Sequence, residues 1–193
     1  MRRNFPVIIK HKIEFIDFIG LKDFIDEFER YKIIGEKAVK QVSDEGLNTV
    51  IGPDNNSIAV IIRHISGNLL SRFTGFLTTD GEKPWRNRDS EFDEIQYQRF
   101  EVDRMWAEGW EVVFKELGAL TDADLNSNVT IRGQEFTVHE ALARSIAHIS
   151  YHVGQIVLLA RILASDEWEW ISIPKGGSRQ YNQNPTLEKK PQN

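Results

Sequence analysis

The sequence contains no cysteine among its 193 residues. No thiolate nucleophile and no cysteine metal site can therefore come from this chain, and any metal ion would have to be held by nitrogen and oxygen ligands. The same absence fits a reducing compartment. A long basic run is also missing: Lys and Arg total 24 against 29 Asp and Glu, a formal charge of −5. Such a chain has little with which to release counterions from a phosphate backbone, so no nucleic-acid partner is expected. No stretch reaches the ~18 uninterrupted apolar residues of a membrane-spanning helix. The opening "MRRNFPVIIKHKIEF" breaks its apolar run at Lys10, His11 and Lys12. The expectation is a cytoplasmic protein with no membrane partner.

Several catalytic signatures are lacking too. There is no P-loop, no G-x-G-x-x-G and no G-x-S-x-G. "HEALA" (139–143) begins like a zincin motif but places Ala143 where the second histidine belongs. No E-x-x-H pair exists, which argues against a carboxylate-bridged diiron bundle.

What is present suits a globular core: 40% apolar and 27% charged residues, in a length that fits one domain. Four segments carry helical periodicity, separated by turn-rich stretches, and predict an all-α four-helix bundle. The first runs from about Phe18 to Ser43, with Leu21, Phe24, Phe28, Tyr31, Ala38 and Val42 on one face. After the turn cluster "GPDNNS" (52–57), Asn56 or Ser57 can cap the second, Ile58 to Leu77. The third, about Glu94 to Leu117, aligns Ile95, Val102, Trp106, Val113 and Leu117, with Trp110 at the edge of the stripe. "NVTIRGQEFTV" alternates around Arg132 and Gly133 and predicts a small hairpin. Thr137 and Glu140 then form a capping box for the fourth helix, which extends to about Ala164. The single domain is placed at 1–182, with 1–16 as an N-terminal extension and 183–193 as a disordered tail.

The fourth helix carries "AHISYHVGQ" (147–155). At ~100° per residue His148 and His152 share one narrow arc, beside the apolar arc of Ile149, Val153 and Ile156, so both imidazoles face inward. His139 falls on nearly the opposite side. On the second helix the arc opposite the apolar face holds Ser57, His64, Gly67, Asn68, Ser71 and Gly75, with no Lys, Glu or Asp. A solvated face normally carries charge, so this arc reads as the lining of a cavity. Two neutral histidines at i and i+4, with a third from a facing helix, can hold one cation and leave a coordination place open. His64, His148 and His152 are the candidate ligands. The alternative is that each is a hydrogen-bonded core residue. Gln155 is either a partner fixing the His152 tautomer or a polar group at the helix edge. "KPWRNRDSEFDE" (83–94) admits two readings, a solvated connection with locally paired charges or an anion clamp formed by Arg86 and Arg88. The two glycines of "PKGGS" (174–178) read as loop punctuation.

"IRHISGN" on the second helix and "HISYHVGQ" on the fourth resemble the DinB-like superfamily, which includes bacillithiol and mycothiol S-transferases. "WRNRDSEF" and "SIPKGGSRQYN" resemble a branch of it without an assigned function. The resemblance runs from about Phe18 to Asn182; Met1 to Ile16 has no counterpart. It implies a bundle of up-down-down-up topology, a homodimer, and a divalent metal held by a histidine triad, which falls on His64, His148 and His152. Zn, Ni, Fe and Cu all suit three histidines. The activity implied by analogy is transfer of a low-molecular-weight thiol to an electrophile, the thiol coming from solution. The alternatives are metal-dependent hydrolysis and a non-catalytic metal-binding or dimeric stress-response protein.

Overall fold

The computed structural model describes residues 19–164 and 168–185. The proposed N-terminal extension and residues 186–193 of the proposed tail lie outside the described residues. Four long helices dominate: α1 (Leu21–Val39), α3 (Ile58–Phe73), α4 (Arg99–Leu117) and α5 (Val138–Leu163). Between and after them come the short α2 (Asp44–Asn48), the hairpin β1 (Asn128–Ile131) and β2 (Gln134–Thr137), and α6 (Ser178–Tyr181). The expected helical bundle with a small hairpin is thus observed.

The helix ends differ from the periodicity for local reasons. The first segment breaks at Val39 because Ser43 caps a separate helix, its hydroxyl accepting from the Gly46 N–H at 3.1 Å. Val42 stays buried between the two. The second segment stops at Phe73, and the chain turns at Gly75, whose φ of +61° no regular helix adopts. Leu77, expected in that helix, is exposed. The third begins at Arg99 rather than Glu94, because residues near 97 pair instead with α2: the Tyr97 N–H donates to Asn48 Oδ1 at 2.8 Å and Asn48 Nδ2 donates back to the Tyr97 carbonyl at 2.9 Å. Ile95 consequently lies outside the helix and is exposed. Trp110, placed by the wheel at the edge of the stripe, is fully buried and packs edge-on against Phe28.

Both capping residues of the paired site helices hold. Ser57 caps α3 by accepting from the Val60 N–H, and Thr137 with Glu140 forms the reciprocal capping box of α5. The hairpin closes through Arg132 and Gly133, with φ of 54° and 70°, the double positive φ of a tight two-residue connection. Asp80, after α3, fixes that turn: its carboxylate accepts from the N–H groups of Arg132 and Gly133, each at 2.8 Å.

Helices α3 and α4 share an extensive contact, in which Gly109 lets the backbone of Ser66 approach; a Cβ there would sit 3.1 Å from Ser66 Cα. Helix α5 packs along α1 and buries Leu142, Ile149, Val153 and Ile156 in the common core. By length and composition α5 is also apolar enough to cross a membrane. Its outward stripe leaves Tyr151, Leu158 and Ile162 exposed.

Candidate metal centre

Helices α3 and α5 bring His64, His148 and His152 together, and one nitrogen from each lies within 4.8 Å of the other two. The i, i+4 spacing on α5 sets two rings edge-on with centroids 4.7 Å apart, and His64 faces them from α3 at 5.3 and 4.9 Å. The Nε2 atoms of His64 and His148 are 3.2 Å apart. Two nitrogens bound tetrahedrally at zinc-type distances would be separated by about 3.3 Å, so this pair already has the spacing of shared ligation.

The other ring nitrogens are engaged. Nδ1 of His64 lies 2.8 Å from Glu91 Oε2. Glu91 is itself clamped by Arg86, whose Nε and Nη2 donate to Oε1 and Oε2 at 2.7 and 2.9 Å. All three side chains are 7% exposed or less. Burial pushes the Glu91 carboxyl upward, but hydrogen bonds from His64 and Arg86 and the Arg86 charge outweigh it, so the group sits below the ordinary carboxylate range. A carboxylate can only accept, which makes His64 Nδ1 the donor and leaves the lone pair of a neutral ring on Nε2, facing His148. Gln155 does the same for His152, its Oε1 accepting from Nδ1 at 2.8 Å. Phe92 covers His64, ring centroids 4.8 Å apart.

Desolvation, followed by the neighbouring His152 and His64, lowers His148 to about 4. Desolvation also lowers His152, against the raising effect of the Gln155 hydrogen bond. Imidazole nitrogens turned to one point are the donor set that a divalent ion takes once the proton between His64 Nε2 and His148 Nε2 is given up. Three nitrogen donors, two of them oriented by partners on the far side of the ring, fit such an ion.

The remaining sequence-level candidates separate. His139 lies away from the triad in the first turn of α5, edge-on to Phe24. The small-residue arc of α3 is only partly a cavity lining. Ser71 is filled against the connection after α3, its hydroxyl donating to the Gly81 carbonyl at 2.8 Å. Gly67 faces Glu91 so closely that the carboxylate occupies the room a side chain would need. Asn68 does line a cavity, of about 310 Å³, into which His64 and His148 open. Arg86 is not part of a solvated connection, since its side chain is only 2% exposed. Gly177 closes a turn on the Pro174 carbonyl, in keeping with loop punctuation.

Glu91 is the residue contacting the histidine cluster that the sequence reading missed. It stands on a 3-10 turn, Asp89–Phe92, where no helical or strand period projects a side chain toward α3. The available signal was the missing Cβ at Gly67, one turn beyond His64.

Among solved structures, the chain is similar to a DinB-like protein from Bacillus cereus ATCC 10987, with a TM-score of 0.55 and 16% identity, over 77% of this chain and 98% of that one. At that identity the likeness establishes a DinB-like helical fold. No curated protein matches the chain. A family model described as "Protein of unknown function (DUF1572)" matches residues 18–177, and with most of the sequence covered, the chain belongs to that family.

Proposed function

We propose that the protein is a metal-dependent S-transferase, in which His64, His148 and His152 hold a divalent ion and a low-molecular-weight thiol is transferred to an electrophile. The observation that carries this reading is the convergence of three histidine nitrogens within 4.8 Å, with the far sides of His64 and His152 tied to Glu91 and Gln155. A bound ion would supply Lewis acidity, lowering the pKa of a thiol or water at its open coordination place. The chain's own residues have the supporting roles. Glu91 fixes the tautomer and angle of His64, Arg86 keeps Glu91 ionised, Gln155 orients His152, and Phe92 shields His64 from water. Because the sequence has no cysteine, the sulfur must come from a second molecule. The balanced reaction joins that sulfur to the electrophilic carbon, releases the leaving group with its bonding electrons, and delivers the thiol proton to solvent.

The same reading takes residues 1–182 as one domain of up-down-down-up order, acting as a homodimer in the cytoplasm, with neither nucleic acid nor membrane as partner. The exposed stripe Tyr151, Leu158 and Ile162 on α5 supports pairing through that helix.

The test is elemental analysis of protein purified without a metal-affinity tag, together with the single variants His64→Ala, His148→Ala and His152→Ala. Metal is expected in the native protein and lost from each variant; unchanged content in the variants removes the site. Metal-loaded protein is then given a thiol and monochlorobimane. Conjugation that His148→Ala abolishes supports the transferase. Turnover without thiol would instead indicate hydrolysis, and retained metal without turnover a binding protein.

A further inference from the structure

The cavity into which His64 and His148 open has an unusual wall. Among the described residues, five arginines line it, Arg72, Arg86, Arg88, Arg132 and Arg144, and no carboxylate does. Some of this charge is answered from behind. Arg86 is paired with Glu91, Arg132 with Glu82 at 2.9 Å, and Arg88 more loosely with the fully exposed Asp89 at 4.0 Å. Among the described residues, Arg72 and Arg144 have no carboxylate within ion-pair distance. Arg144 rests on the ring of Phe136 at 6.0 Å and is otherwise exposed.

The guanidinium of Arg86 adds a second, independent sign. It is planar, and its Nε and Nη2 edge is spent on Glu91, so Nη1 points away from that carboxylate. That Nη1 is buried without a hydrogen-bond partner among the described residues. A buried donor left unsatisfied is costly, and native proteins normally complete such groups with a ligand or water. The mutual closeness of these cations is also felt within the wall: burial, and after it the charges of Arg86, Arg132 and Arg144, hold Arg72 below the ordinary guanidinium range, against the opposing pull of Glu82.

We infer that this cavity is an anion subsite beside the histidine centre, which takes a doubly charged oxyanion head, phosphate monoester or dicarboxylate, of a small substrate and points the rest of it toward His64 and His148. Two guanidinium groups with no carboxylate at ion-pair distance suit a head with a charge of about minus two. Planar forks suit carboxylate and phosphate oxygens equally. A volume of about 310 Å³ is at the small end of ligand sites and accommodates a head group with a short stem. The inference deepens the proposed transferase by naming a substrate class, but the subsite itself stands apart from metal and can be tested without it.

The experiment is calorimetric titration of chelator-treated full-length protein with inorganic phosphate and, separately, with succinate, at fixed ionic strength in chloride. Succinamide serves as the uncharged control. Saturable binding of at least one anion in the millimolar range or tighter is expected, with none for succinamide. Arg144→Gln and Arg72→Gln should each weaken it by about tenfold or more. Arg144 is exposed, so its variant decides the matter if Arg72→Gln does not fold. His152→Ala, whose changed residue is not part of the cavity wall, should bind the anion as the native protein does, even though it loses metal under the proposed function. The preferred anion identifies the head group. Absence of saturable binding, binding unchanged in Arg144→Gln, or binding lost in His152→Ala would overturn the subsite. A failure of the metal reading would appear separately, as unchanged metal content in His152→Ala with the anion still bound.

Discussion

Gly67 and Glu91 are in contact in a way that leaves no room for a side chain at position 67 while Glu91 keeps its place: a Cβ there would lie 2.3 Å from Glu91 Oε1 and 2.9 Å from its Cδ. The helix surface is hollowed at one point, and the hollow holds the carboxylate that orients His64.

Gly67→Ala should therefore act on the histidine centre without touching a ligand. The added methyl displaces Glu91, His64 loses its Nδ1 partner, and metal affinity should fall by about 10- to 100-fold, as for other changes behind a metal-bound histidine. A competition titration against a chromophoric chelator measures it; unchanged affinity would show that Glu91 does not tune the site.

Glu91→Gln keeps the shape and removes the charge. Arg86, at 2% exposure, would then be a buried cation facing an amide. Breaking a buried pair on one side costs about 3–5 kcal/mol, which for a chain of this size lowers the melting temperature by on the order of 10 °C. Thermal unfolding of the metal-free variant checks this, and a shift of only a degree or two would mean that Arg86 finds another partner.

Acid should loosen the hairpin. The Asp80 carboxyl is held below its ordinary value of 3.8 chiefly by the backbone N–H groups of Glu82 and Gly133, with Arg132 adding to them. A carboxyl depressed in the folded state contributes stability that is present above the unfolded pKa and lost as pH falls through the folded one. Asp80→Ala should thus be less stable than native protein at neutral pH, and the gap should close below about pH 3.8. Urea unfolding of both proteins across pH 2.5 to 7, values spanning the carboxylate range, reads out the difference. A gap that does not narrow in acid would remove Asp80 as its source.

Leu158 stands at the centre of the outward α5 stripe, with Tyr151 and Ile162 on either side and more than half of each side chain exposed. If α5 is the homodimer contact, Leu158→Glu should yield a monomer by sedimentation while leaving the helical content of the fold unchanged, since within one chain the position is exposed. A native monomer would end that part of the proposal.

The features legible in the sequence were those with a period or a local grammar. His148 and His152 could be projected because they share one helix, and the hairpin could be read because Arg132–Gly133 demands a particular turn. Thr137 and Glu140 announced the start of α5 for the same reason. Glu91 and the burial of Arg86 were not legible. Both lie in the irregular segment between α3 and α4, where side-chain direction is set by tertiary contacts alone. The helix boundaries at Val39, Phe73 and Arg99 were missed because Ser43, Gly75 and Asn48 supply competing hydrogen bonds or turns that an apolar stripe does not register.

His64 and His148 are 84 residues apart in the chain yet nearly touch. An ion shared between them would act as a clasp joining early and late parts of the polypeptide, so its removal should be felt throughout the bundle. Chelation is then expected to hasten amide exchange in the buried turns of α3 and α5 together, as a zipper opens once its end stop is taken away.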